Sequence, residues 1–334
     1  MKRVLLTGAS GFVGSHVLRH LLINTDWEIV CLSSFRHRGI TDRIRVAVDG
    51  LDYADRVHVL IHDLCAPISP VLDAKIGHID YVMNVASESH VDRSIIEPGP
   101  FVQNNVALIC NMLDWARTRD IEKFLHVSTD EVYGPAPLGH NHKEWETYYP
   151  SNPYSASKAA QESIAFSYWR TYGVPLIITN TMNIIGEMQD PEKFVPMIIK
   201  KVLAGETVTI HSSPTGEFGS RYYLHARNQA HALLHCLQLP SPLYGQSSVP
   251  AKFNIIGNRE VNNFEMAEMV SSYVGKPLYY ELVDFHSSRP GHDLRYALDG
   301  DKIAATGWKA PLSLEESLER TVKWTLAHPE WLTL

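Results

Sequence analysis

Through its first 180 residues the chain sets short apolar runs against longer stretches of helical spacing. Val4-Leu5-Leu6, Glu28-Ile29-Val30-Cys31-Leu32, Val57-His58-Val59-Leu60-Ile61, Asp80–Ala86, Phe124-Leu125-His126-Val127 and Val174–Asn180 are each bounded by polar or turn residues. Such runs predict strands buried in a sheet. Between them, Val17, Leu18, Leu21 and Leu22 recur at the spacing of one helix face, and residues 101–117 and 153–172 predict two long helices. Pro153 opens the second, where its missing N–H would have had no helical partner in any case. Strands alternating with helices of this length predict a parallel sheet covered on both sides. Beyond residue 183 the pattern loosens into short elements separated by segments such as Ser212-Ser213-Pro214-Thr215-Gly216, and Lys252-Phe253-Asn254-Ile255-Ile256 predicts one more sheet strand.

The first strand runs into Gly8-Ala9-Ser10-Gly11-Phe12-Val13-Gly14 and then a helix. Strand, glycine turn and helix in that order bring the backbone close to a pyrophosphate and offer it the free N–H groups of the helix start. The fold class that follows is α/β, a Rossmann-type doubly wound sheet. Ligands in such sheets lie past the carboxyl ends of the strands. The candidate cofactor contacts are accordingly Gly8, Ser10, Gly11, Phe12, Val13 and Gly14 in the turn, Ser33 and Arg36 after the second strand, and Asp63 and Leu64 after the third. Ala86 and Ser128 follow at the fourth and fifth, with Tyr154 and Lys158 beyond. An acid usually closes the second strand of an NAD site; here Ser33-Ser34-Phe35-Arg36-His37-Arg38 stands there instead. An arginine would pair with a 2′-phosphate, so the cofactor is NAD or NADP, with NADP favoured on this point. The expected organisation is a dinucleotide-binding domain over 1–183, joined by a returning sheet segment near 226–257, and a smaller lobe, mainly for substrate, over 184–334.

Composition narrows the picture. The chain has 334 residues, enough for roughly two domains, and a formal net charge of −7 with no dense basic run, which argues against a nucleic-acid surface. Four cysteines, Cys31, Cys65, Cys110 and Cys236, form no CxxC pair and predict buried thiols in a reducing, cytoplasmic setting. The apolar start Val4-Leu5-Leu6 is cut at once by Thr7-Gly8, unlike a secretory leader, and no run of 18 apolar residues predicts a membrane span. His140-Asn141-His142-Lys143-Glu144 is the densest cluster of metal-type ligands, but it has no matching second cluster, and no metal site is expected.

The chemistry gathers after the fifth strand, at Ser128-Thr129-Asp130-Glu131-Val132-Tyr133-Gly134. A hydroxyl and two adjacent acids stand there at a strand's carboxyl end. Tyr154 and Lys158, four apart, share one face of the helix that follows. The candidate catalytic set is Thr129, Asp130, Glu131, Tyr154 and Lys158.

Through Gly8, Gly11, Gly14 and the Tyr154-x-x-x-Lys158 pair the chain resembles the extended short-chain dehydrogenase/reductases. Through Ser128–Gly134, Glu88–Ile95, Pro191-Glu192-Lys193 and Arg289–Asp293 it resembles, over nearly its whole length, the nucleoside-diphosphate-glucose 4,6-dehydratases. The resemblance implies that Tyr154, helped by Thr129 and by the Lys158 ammonium, takes the sugar 4-hydroxyl proton during hydride transfer. Glu131 is then the base at C5 and Asp130 the acid at the C6 hydroxyl. It implies substrate contacts at Ser89, Asn183, Lys193, Arg221, Arg289 and His292, and a homodimer packed through helices 101–117 and 153–172. Two stretches depart from that family's pattern: Ile184-Ile185-Gly186-Glu187 replaces Asn-Tyr-Gly-Pro, and Tyr222–Asn228 replaces Asp-Trp-x-Tyr-Val-x-Asp. The alternatives are a nucleotide-sugar C4 epimerase, a dehydratase of another nucleotide sugar, and a non-catalytic dinucleotide-binding sensor. A C4 epimerase has no need of the acid pair.

Overall fold

The computed structural model of the chain describes residues 1–36, 38–213, 216–240, 248–284 and 295–333. Six strands, β1 (Arg3–Thr7), β2 (Glu28–Ser33), β3 (Val57–Ile61), β4 (Tyr81–Asn84), β5 (Lys123–Thr129) and β6 (Leu176–Thr181), build one sheet with the later strand Ala251–Ile255. The order is Ala251–Ile255, β6, β5, β4, β1, β2, β3, and every neighbouring pair is parallel. The order reverses beside β1, so the carboxyl ends of β1, β4 and β5 border the crevice where such folds take ligands.

Successive residues of a strand face opposite sides of a sheet, and this alternation builds two cores. Val4, Leu6, Met83, Leu125 and Ile177 face helix α1 (Phe12–Asn24) and a later helix of residues 226–238, burying Leu18, Leu21, Leu233 and Leu237. Helices α2 (Thr41–Val48), α3 (Pro70–Ile76) and α4 (Val91–Ile96) lie among the crossovers. Leu5, Val82, Phe124 and Ile178 face the other way, onto α5 (Pro98–Ala116) and α6 (Pro153–Tyr172). A third core, with Ile198, Val202, Met266, Val270, Leu318 and Val322, holds α7 (Phe194–Ala204), α9 (Asn263–Val274) and the helix Leu314–Ala327 together; α8 is Ala226–Gln238. This second region carries short strand pairs, Ile184–Ile185 with Leu224–His225 and Ser220–Tyr222 with Glu260–Asn262.

The expected strands and both long helices are present, with ends shifted by up to three residues. The fifth strand runs on through Ser128 and Thr129, so Asp130–Tyr133 starts a short 3-10 turn at its tip. All four cysteines are free thiols, but only Cys31 and Cys236 are buried; Cys65 and Cys110 are half-buried, against the expectation of four buried thiols. Among the described residues no helix is long and apolar enough to cross a membrane.

Candidate active site

The glycine turn is shaped by close backbone approach. Gly8 has φ +75°, and a methyl group there would sit 2.9 Å from Ala86 Cα. A methyl at Gly14 would run into the Gly8 carbonyl oxygen, so helix and turn meet only because neither residue has a side chain. Gly11 caps α1 with no side chain to occupy its first N–H groups. Thr7 fixes the turn from below: its hydroxyl donates to Asn84 Oδ1 (2.9 Å) and accepts from the N–H groups of Val85 and Ala86 (3.1 Å each). Asn84 donates on to His126 Nδ1 (3.1 Å), a line of contacts across the tips of β1, β4 and β5 that sequence reading did not single out. Ser128 Oγ faces the same crevice, buried and with no hydrogen-bond partner among the described residues, a hydroxyl left for a ligand to meet. These features fit a dinucleotide with its pyrophosphate at the start of α1.

Around the adenosine end, Ser33 is buried and its Oγ accepts weakly from Ser10 N (3.4 Å). Asp63 accepts from Cys65 N through Oδ1 (3.1 Å) and forms an ion pair with Arg36 through Oδ2. Leu64 is buried beneath them.

The two acids of the catalytic turn have different surroundings. Asp130 is 4% exposed; Thr129 donates to its Oδ1 (2.8 Å), and its Oδ2 is buried with no hydrogen bond to any described residue. Burial first, and the neighbouring Glu131 charge second, push its carboxyl up to about 7, with Thr129 and Arg221 pulling the other way. Glu131 is half-buried, and its Oε2 accepts from Asn152 Nδ2 (3.0 Å).

Tyr154 stands in the first turn of α6. The Asn152 side chain caps that helix, and Ser94 Oγ accepts from the Tyr154 N–H (3.2 Å). Burial, then the charge of Glu131, raises its phenol above the ordinary tyrosine range, and only the Thr129 hydroxyl opposes them. The Lys158 ammonium, expected to act there together with a positively charged nicotinamide, is not among these influences. Lys158 Nζ donates to Val127 O (2.8 Å) and Gln161 Oε1 (2.6 Å), and burial brings its ammonium down to about 7 against the pull of Glu162. Gln161 donates to Asn105 O, and Asn105 Nδ2 reaches Ser157 Oγ. One turn beyond Lys158, Glu162 forms a fully buried pair with Lys252 of the returning strand (2.7 Å) and also takes hydrogen bonds from Asn180 and Tyr148.

The second region carries several of the residues expected to meet substrate. Lys193 caps α7, donates to Ser89 O (3.3 Å) and lies within the field of Glu131. Arg221 is buried, its guanidinium 4.5 Å from the Tyr296 ring centre, and its charge reaches Asp130. Asn183 is exposed, and its carbonyl accepts from Leu224 N (2.9 Å). Arg289 and His292 lie outside the described residues. The two departures from the family pattern face each other. Glu187, 3% exposed, lies 3.2 Å from His225 Nε2 and within hydrogen-bond reach of Arg227 (3.1 Å) and Arg320 (2.6 Å), while His16 of α1 bonds its carbonyl (2.9 Å). Burial would raise the Glu187 carboxyl, but His225, His16 and Arg227 together hold it well below the ordinary range. His140 and His142 meet on one oxygen of Glu146 (3.0 and 2.7 Å), whose other oxygen accepts from Lys143 N, a clasp that closes the loop behind the catalytic turn.

Comparison with known proteins places these features in context. The model of the NAD dependent epimerase/dehydratase family matches residues 4–255. A dTDP-glucose 4,6-dehydratase of Shigella flexneri is 33% identical, with 99% of this chain and 94% of that protein covered. The low-salt glycan biosynthesis protein Agl12 of Haloferax volcanii is 34% identical over 98% of this chain and 99% of its own length. Among solved structures, a double mutant of the dTDP-glucose 4,6-dehydratase DesIV from Streptomyces venezuelae, with NAD and DAU bound, superposes with a TM-score of 0.87 at 28% identity, covering 100% of this chain and 99% of that one.

Proposed function

The chain belongs to the NAD-dependent epimerase/dehydratase family, in its nucleoside-diphosphate-glucose 4,6-dehydratase branch, and we propose that Thr129, Asp130, Glu131, Tyr154 and Lys158 perform that branch's reaction here. The protein is a nucleotide-sugar 4,6-dehydratase, a hydro-lyase dependent on a nicotinamide dinucleotide of the NAD type. The substrate we propose is dTDP-glucose or a close analogue such as UDP-glucose, and the product its 4-keto-6-deoxy sugar.

When bound, a nicotinamide would supply a reversible store for the hydride that leaves C4 and is later needed at C6. Gly8, Gly11 and Gly14 would hold its pyrophosphate, and Ser128 and Lys158 its nicotinamide half. The remaining work falls to side chains. Tyr154 accepts the 4-hydroxyl proton, with Thr129 bonded to the same oxygen. Burial and Glu131 disfavour its phenolate, and the Lys158 ammonium on the same helix face, with a positively charged nicotinamide, would favour it. With a ketone at C4, Glu131 removes the acidified C5 proton and Asp130 protonates the leaving C6 hydroxyl.

The unequal surroundings of Asp130 and Glu131 carry this reading. A buried acid with its carboxyl pushed up to about 7 can arrive protonated, while its neighbour Glu131 accepts an amide hydrogen bond of the kind that favours a carboxylate, the unequal pairing that acid–base chemistry requires. Simple C4 epimerisation uses neither acid. The test is to separate the partial reactions. Asp130→Asn is expected to slow water loss about 10²-fold while C4 oxidation persists. Glu131→Gln is expected to abolish solvent exchange at C5. Full turnover by either variant contradicts its assigned role.

Further features belong to the same reading. Asp63, paired with Arg36, places a carboxylate where the second strand lacks one; this favours a ribose 2′-hydroxyl, hence NAD over the NADP suggested by the arginines alone, and identifying the dinucleotide that copurifies checks it. Residues 184–334 form the nucleotide-sugar lobe, with Ser89, Asn183, Lys193 and Arg221 lining it and Arg289 and His292 assigned there from sequence. We propose that α5 and α6, which pack against each other within the chain, also form a homodimer interface; the four free thiols fit a cytoplasmic setting.

A further inference from the structure

Asn152 joins the two halves of the site. Its Oδ1 accepts from Ser155 N (2.9 Å) while its own N–H donates to Ser155 Oγ (3.1 Å), the reciprocal cap that starts α6. This cap fixes the amide's orientation, because a flipped side chain would set its NH2 against the Ser155 N–H. With Oδ1 committed to the helix, Nδ2 points away and donates to Glu131 Oε2 at 3.0 Å. Asn152 is 7% exposed and Glu131 half-buried, so the contact is partly shielded from solvent. Asp130 has no comparable amide donor: its Oδ1 takes the Thr129 hydroxyl and its Oδ2 is bare. A hydrogen bond donated to a carboxylate favours its ionised form.

We propose that Asn152 is a positioning residue that assigns the base role to Glu131, and that by capping α6 with the same amide it fixes Glu131 relative to Tyr154. The inference rests on the reading of Glu131 as the C5 base. Among the described residues, the charged and titratable groups whose fields couple to Glu131 include Asp130 on its own turn, Tyr154 from α6 and Lys193 from the start of α7. Lys193 stabilises the carboxylate and Asp130 opposes it once ionised. The amide contact adds a directed bond to one named oxygen, Oε2.

The cap and the contact can be separated by substitution. Asn152→Asp and Asn152→Ser each keep an oxygen that can accept from Ser155 N, and each loses the amide donor. The holoenzyme is mixed with dTDP-glucose in deuterated water, and two rates are read: reduced nicotinamide formed in the first turnover, and deuterium entering C5. Both variants are expected to form reduced nicotinamide within about threefold of the unaltered protein, while C5 exchange falls about 10-fold or more. In Asn152→Asp the midpoint of the exchange–pH profile should move up by about one unit, from the added like charge. Exchange rates and profiles within twofold of the unaltered protein in both variants would overturn the proposal. So would an equal loss of both rates, because it would mean that Asn152 acts through the helix and Tyr154 alone. If Glu131→Gln keeps full C5 exchange, the base assignment itself fails and takes this inference with it.

Discussion

The Asp130 carboxyl ties catalysis to stability through one titration. It ionises near 3.8 in an unfolded chain and near 7 in the fold. Between those values the folded chain holds a proton that the unfolded chain releases, so this group makes stability fall as pH rises through that window. One pKa unit is worth about 1.4 kcal/mol, which bounds the cost above pH 7 at about 4 kcal/mol. Asp130→Asn should therefore raise the melting temperature by about 5 °C or more at pH 8 and leave it nearly unchanged at pH 4, while losing activity; an equal fall at both pH values would show that the carboxyl is structural. The rate of water loss should drop as pH rises above about 7, where the acid loses its proton. Tyr154→Phe should stop formation of reduced nicotinamide itself, and an unchanged single-turnover rate would remove Tyr154 from the scheme. At this scale the residue types were legible because Thr-Asp-Glu after a strand and Tyr-x-x-x-Lys on a helix are short-range patterns. What was not legible lies between distant residues. Asn152 was not singled out in sequence, and nothing there links it to Glu131, 21 positions away. Burial, which no pattern quantifies, is the largest influence on the Tyr154 phenol.

Two elements carry most of the geometry. The turn from β1 into α1 depends on Gly8 and Gly14 having no side chain. Gly14→Ala should force the helix away from Gly8 and abolish copurification of the dinucleotide; retention of a full complement of coenzyme would mean that the turn tolerates the shift. The glycine spacing made this turn legible in sequence. The cluster under Gly186 and Glu187 was legible only as two breaks in a family pattern, at 184–187 and 222–228. The fold shows that they are one unit, because Glu187 meets His225 and Arg227. Breaking a buried ion pair costs about 3–5 kcal/mol, reduced here because Arg227 and Arg320 are partly solvated, so Glu187→Gln should cost about 2–4 kcal/mol. A double-mutant cycle of Glu187→Gln with His225→Phe should give a coupling energy above about 0.5 kcal/mol; strict additivity would mean that the two departures are independent. Burial also holds His16 near 4, below its ordinary 6.5. The unfolded chain takes up that proton first, so this face contributes stability that is lost as pH falls from about 6.5 toward 4.

Across the whole molecule, the parallel sheet sets coenzyme chemistry on the tips of β1, β4 and β5, and the second region brings Lys193 and Arg221 over the same crevice. The alternation of strands and helices made the sheet legible, and the loosened pattern after residue 183 marked where it ends. It could not show that Lys252 returns to pair with Glu162, because that contact spans 90 positions, most of them in the second region. The central claim is elimination of water between C5 and C6 by an adjacent acid and base. Mass spectrometry of dTDP-glucose after incubation with the purified protein in deuterated water tests it most directly. The account predicts a product lighter by one water, with a single deuterium at C5. An unchanged formula with inverted configuration at C4 and no deuterium at C5 would contradict it.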